Sequence, residues 1–82
     1  MTLNPIRANM TELELNNGTK VLFSYKTPVA CLVNANGVWH QYKTDKKWSN
    51  TTTRHINNWN PLGGAYGILA QKYFDNLVSE VK

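Results

Sequence analysis

Two alternating runs, Thr11-Glu12-Leu13-Glu14-Leu15 and Thr19-Lys20-Val21-Leu22-Phe23-Ser24-Tyr25, flank Asn16-Asn17-Gly18. Alternation marks half-buried strands, and Asn-Gly between two such runs is the strongest short-range hairpin signal. Side chains on a strand repeat every two residues, so a one-residue slip turns every apolar group to the wrong face. A two-residue loop would set Glu14 opposite Val21. A three-residue loop, 16–18, sets Leu13 opposite Val21 and gathers Leu13, Leu15, Val21 and Phe23 on one face. The second register is expected, with Gly18 in the left-handed conformation that glycine adopts without strain.

A second hairpin follows. Pro28 cannot donate to a ladder and breaks the first run. Val29–Val33 is the third expected strand, Asn34-Ala35-Asn36-Gly37 a turn, and Val38–Thr44 the fourth strand. Val29, Cys31 and Val33 share a face with Val38, His40 and Tyr42, while Leu32 and Trp39 share the other. That pattern suggests a hairpin covered on both sides.

Beyond the polar turn Asp45-Lys46-Lys47 the period changes. Ser49 or Asn50 can cap a helix, and Thr52, Ile56 and Trp59 lie on one face of a short helix over 51–59. Asn60 to Gly64 ends it. Tyr66, Leu69, Ala70, Tyr73, Phe74, Leu77, Val78 and Val81 then repeat at three- and four-residue spacing, which predicts one amphipathic helix from Tyr66 to the C-terminus. The expected fold is α+β: about four antiparallel strands in two hairpins, a short helix and a longer C-terminal helix. Residues 1–9 read as a loose arm before a single domain over 10–82.

With 82 residues, there is material for one core and not for a roomy substrate cavity. The longest apolar run is Val29–Val33, far below the ~18–20 residues of a membrane span. Met1 to Met10 lacks the apolar run of a signal peptide. One cysteine, Cys31, leaves no internal disulfide and no Cys-rich zinc site. A cytoplasmic location is the expectation.

The segments Ser24-Tyr25-Lys26-Thr27-Pro28-Val29-Ala30 and Trp48-Ser49-Asn50-Thr51-Thr52-Thr53-Arg54-His55-Ile56-Asn57-Asn58-Trp59 carry a resemblance. They are similar to a small domain common in bacteriophage genomes, with the pattern Tyr-x-Thr-Pro-Val-Ala, then Ser-x-Thr-Thr-x-Arg-His-Ile-Asn-x-Trp. The resemblance spans about half the chain. It implies a phage or mobile-element origin, a small accessory role and the host cytoplasm as the place of action. It transfers no catalytic residue. Gly63-Gly64 and Lys46-Lys47 fall outside the pattern.

Catalytic and metal constellations are weak. Cys31 and His40 share a strand face, but a buried small hydrophobe beside a histidine accounts for them. Ser49, His55 and Asp45 have the residue types of a triad, yet Ser49 is explained by capping. Cys31, His40 and His55 lack the close-spaced pair that zinc sites show. No enzyme, cofactor or metal is expected.

The basic segment says more. Net charge is +4, and Lys43, Lys46, Lys47 and Arg54 lie within twelve residues whose one acid is Asp45. The lysine pair precedes a helix start without an acidic residue, where free backbone N–H groups attract anions. Thr51 adds a hydroxyl, and Trp48 is the tryptophan expected at a rim, with Trp39 and Trp59 assigned to the core. Lys43, Lys46, Lys47, Trp48, Thr51 and Arg54 form the expected anion- or partner-binding set. A solvated turn with ordinary lysines accounts for the same residues. Two functions follow: stoichiometric binding of a host protein, such as a regulator or defence component, and nucleic-acid binding through the Lys43–Arg54 surface.

Overall fold

A computed structural model describes residues 2–79. Its elements are β1 (Thr2–Arg7), β2 (Met10–Glu14), β3 (Lys20–Ser24), β4 (Thr27–Ala35), β5 (Val38–Thr44), α1 (Asn50–Trp59), β6 (Gly67–Leu69) and α2 (Gln71–Ser79). The six strands form one mixed sheet in sequential order. β1 to β5 are antiparallel neighbours, and β6 joins β5 in parallel. A parallel neighbour needs a long crossover, and α1 lies within it. The class is α+β, as the sequence suggests, but with six strands instead of four.

The expected register of the first hairpin is present. Leu13 pairs with Val21, Leu15 N–H donates to Thr19 C=O at 2.8 Å, and Gly18 N–H donates to Leu15 C=O at 3.0 Å. Gly18 holds φ 89°. Between β4 and β5 the turn is Asn36-Gly37, both at positive φ, the conformation that matches the twist of two-residue hairpins.

One row of partners, Leu3–Leu13–Val21–Cys31–Tyr42–Gly67, crosses all six strands. The adjacent row, Asn4–Glu12–Leu22–Ala30–Lys43–Ile68, points to the opposite face. α1 packs on the second row: Ile56 clusters with Met10, Leu22, Val29 and Ala30. α2 packs on β4 from the first-row side, where burial and then the Cys31 and Tyr42 charges push the Tyr73 phenol up. The sheet is thus sandwiched between the two helices.

Several expectations need correction. Residues 2–7 are an edge strand paired with β2, not a loose arm. The ladder accepts Pro5 and Pro28 because register shifts lie beside both, and a bulge tolerates a missing donor. The bulge at Pro28 also moves Val29 into the α1-side cluster instead of the Cys31 face. The C-terminal helix starts at Gln71, not Tyr66. Residues 67–69 complete the β5 edge instead, a better use of Gly67 than a helix interior. Gly67 also needs to be small: a Cβ there would meet the Tyr42 ring at 2.7 Å. The stripe correspondingly narrows to Phe74, the buried residue of α2, and Val81 lies outside the described residues. Finally, Val38, Trp39 and His40 are exposed, so the tip of the second hairpin is not covered. No helix among the described residues is long and apolar enough to cross a membrane.

Candidate functional site

α1 is set by its cap. Ser49 is extended, at φ −162° and ψ 168°, and accepts the Thr52 N–H. Thr53 N–H and Thr53 Oγ1 both donate to Ser49 C=O at 3.1 Å. The loop before it is equally fixed, by Lys46 N–H to Thr44 Oγ1 at 3.1 Å and Asp45 N–H to Leu69 C=O at 2.9 Å.

These contacts shape a cleft of about 380 Å³ between the end of β5, the loop, α1 and β6. Lys43, Lys46 and Lys47 line it, together with Asp45 and, from α1, Thr53 and Asn57. Three cations face one acid, and the first turn of α1 contributes none. The cleft is therefore suited to anions.

The helix period divides the rest of the expected set. Thr52, His55 and Ile56 face the sheet, and Thr53 and Asn57 face the cleft. Thr51 and Arg54 fall on the exposed side and line neither pocket beside α1. Trp48 does not line the lysine cleft but touches one of its lysines. Its ring carries Lys46 Nζ at 4.1 Å from the centroid, and its Nε1–H donates to Gln71 Oε1 at 3.2 Å. Gln71 Nε2 in turn donates to Pro28 C=O at 2.7 Å.

Trp48 belongs to a second pocket, of about 190 Å³, lined by Ser24, Tyr25, Thr27, Trp48, Ser49 and Thr52. Sequence reasoning missed this site. All six residues come from the two segments that carry the resemblance, and the fold brings those segments together. Tyr25 is half-exposed and holds φ 59°. It is the first residue of a two-residue turn between the paired Ser24 and Thr27. Glycine is the usual choice for positive φ, and a bulky residue there is strained.

Behind the pocket runs a hydrogen-bond chain that starts at the exposed Ser49 and ends in the buried interior. Thr52 N–H donates to Ser49 Oγ at 3.1 Å, and Ser49 Oγ donates to Thr52 Oγ1 at 3.2 Å. Thr52 Oγ1 lies 2.9 Å from Ser24 Oγ, which lies 2.8 Å from His55 Nδ1. Each hydroxyl has one proton, so the order assigns Thr52 as donor to Ser24, and Ser24 as donor to a neutral imidazole. Burial first, and then the Arg7 charge, holds the His55 pKa below its ordinary value of 6.5. A catalytic dyad would want an acid behind the histidine; here the charged neighbour is a cation, and Ser24 is 2% exposed. The chain is a structural tie.

Cys31 is fully buried, and burial pushes its thiol up to about 12 against a hydrogen bond from the Tyr42 backbone that lowers it. Cys31 pairs with Tyr42 across the sheet, and His40 with Val33, so the two potential reactive groups are not adjacent. No group of three His, Cys, Asp or Glu among the described residues could hold a metal ion. Of the two tryptophans expected in the core, Trp59 packs against the Ile56 cluster and Trp39 does not. Trp39 is 43% exposed, and Trp59 is half-buried, donating from Nε1 to Glu12 Oε1 at 2.9 Å.

No curated protein and no solved structure matches the chain. The model of a family described as Family of unknown function (DUF8033) matches residues 1–76, and the chain belongs to that family.

Proposed function

We propose that this protein acts by stoichiometric binding, without catalysis, and that its ligand is a nucleic-acid strand seated by its phosphates in the Lys43–Lys46–Lys47 cleft. The observation that carries the reading is the convergence of three lysines on one fixed surface with a single acid, Asp45. Phosphates are the dense, repeating anions such a surface fits, and each one neutralised releases condensed counterions. The two motif segments extend the reading to a phage-type accessory protein working in the host cytoplasm.

The test is fluorescence anisotropy with labelled oligonucleotides over a salt series. Log affinity falls against log salt by about 0.9 per phosphate on duplex DNA and about 0.7 on single strands. Lys46→Ala with Lys47→Ala reduces that slope by about two contacts. Absence of binding at low salt, or a double variant that binds like the parent, rejects the cleft as a nucleic-acid site.

A host protein is the second reading, and one observation favours it. α2 covers only part of the first-row face, leaving an open depression of about 340 Å³ lined by Leu3, Leu13, Phe23 and Tyr25. Leu3 is 65% exposed there, on an edge strand. A nuclease-resistant partner whose capture is lost in Leu3→Asp supports this reading over the first.

A further inference from the structure

We infer that the pocket lined by Tyr25 and Trp48 receives a single unstacked nucleobase, so that the strand held by the lysine cleft is single-stranded. The inference rests on the nucleic-acid reading and names its substrate class.

The two depressions share no lining residue but are joined by one contact. Trp48 lines the smaller one, and Lys46 of the larger one sits on its ring at 4.1 Å. A strand whose phosphates follow the lysines therefore passes the mouth of the aromatic pocket. Size restricts what enters. At about 190 Å³ the pocket is below the ~300 Å³ at which sites for drug-sized ligands begin, which leaves room for one flat ring system.

The lining suits a base. Tyr25 and Trp48 are 51% and 42% exposed; Lys46 covers one face of Trp48, and the remaining π-surface can stack on any base. Below them lie the hydroxyls of Ser24, Thr27, Ser49 and Thr52. Ser24 and Thr52 are buried, and their protons, with that of Ser49, are used within their own hydrogen-bond chain. The Thr27 hydroxyl and the exposed Ser49 oxygen are therefore the groups left to meet a base edge. Chain order also holds the floor still: Ser49, Thr52, Ser24 and His55 are linked by contacts of 2.8 to 3.2 Å.

Tyr25 supplies the independent observation. It keeps φ 59° at a turn position that glycine would fill without strain, and half its surface faces solvent. One side of the ring meets His55, with centroids 6.1 Å apart, and the exposed part is left for a ligand. Strain of this kind persists at binding sites, where the side chain has another use. A base within a duplex stack cannot reach such a pocket without being flipped out, so a single strand is the substrate.

The experiment compares a mixed-sequence single strand with its duplex, by anisotropy at matched salt, on the parent protein, Tyr25→Gly, Tyr25→Asn and Trp48→Ala. Glycine and asparagine both accept the left-handed conformation, so these two variants keep the turn, as a thermal melt verifies. The expected result is tighter binding of the single strand, with both Tyr25 variants weakened about 5- to 150-fold, the range of one lost stacking contact. Their salt slope stays that of the parent, because the phosphate contacts remain. Folded Tyr25 variants that bind like the parent, or a duplex bound more tightly than the strand, overturn the base pocket and leave the phosphate cleft standing. No oligonucleotide binding at low salt overturns both.

Discussion

Ser24 Oγ lies 2.8 Å from His55 Nδ1, joining the last residue of β3 to the middle of α1 across 31 positions of sequence. Both residues are buried, and Thr52 Oγ1 completes the junction at 2.9 Å from Ser24 Oγ. This is how the two motif segments come to line one pocket. It also makes the helix cap, the imidazole and the strained turn at Tyr25 parts of one polar unit.

That unit predicts a pH dependence of stability. The His55 pKa is lowered in the folded state, by burial and then by Arg7, so between the folded value and 6.5 the unfolded chain binds more protons. Stability is therefore full above about pH 6.5 and falls as pH drops from there towards the folded value. A protonated Nδ1 would have to donate to Ser24, reversing every hydroxyl back to Ser49. Denaturant melts from pH 8 to 5 check this; a flat profile would mean that His55 is freely solvated. At neutral pH, Ser24→Ala should cost about 1–3 kcal/mol, because buried polar atoms on Thr52 and His55 lose their partner.

Phe74 is the fully buried anchor of α2. Phe74→Ala should destabilise the protein by about 3–5 kcal/mol, from lost transfer energy and the cavity left behind. Small domains hold only about 5–15 kcal/mol in total, so a large shift in the urea midpoint is expected. A change below about 1 kcal/mol would show that α2 does not contribute to the core in solution.

Cys31 should be chemically silent while the protein is folded. Its thiol is buried and raised to about 12, and the thiolate is the reactive form. A thiol reagent at pH 8 should label it only at the rate of global unfolding, and at once in denaturant. Rapid labelling of the native protein would show an opening at β4.

The local features were legible in the chain, and the reason is that they need only near neighbours. Asn16-Asn17-Gly18 with its flanking alternation defines the Leu13–Val21 register, because turn geometry and a two-residue period act within one hairpin. The Ser49 cap and the Thr52–Ile56 face of α1 follow from hydrogen bonds and periodicity within two turns. The lysines of the cleft, Lys43, Lys46 and Lys47, are near each other in the chain and stay near each other in space. Tertiary structure decided the rest. Gly67–Leu69 fits a helical stripe by spacing, but the open edge of β5 from Tyr42 to Thr44 offers ladder hydrogen bonds that a helix end does not. Residues 2–7 carry too little pattern to announce a strand, and gain one from the edge of β2. The pocket at Tyr25 joins a turn to a helix start 21 to 28 positions away in sequence, from Thr27–Trp48 to Ser24–Thr52. No local preference encodes that meeting, and a positive φ at tyrosine runs against local preference. It exists because the buried Ser24–His55 contact, with the sheet and α1 around it, holds the two segments together.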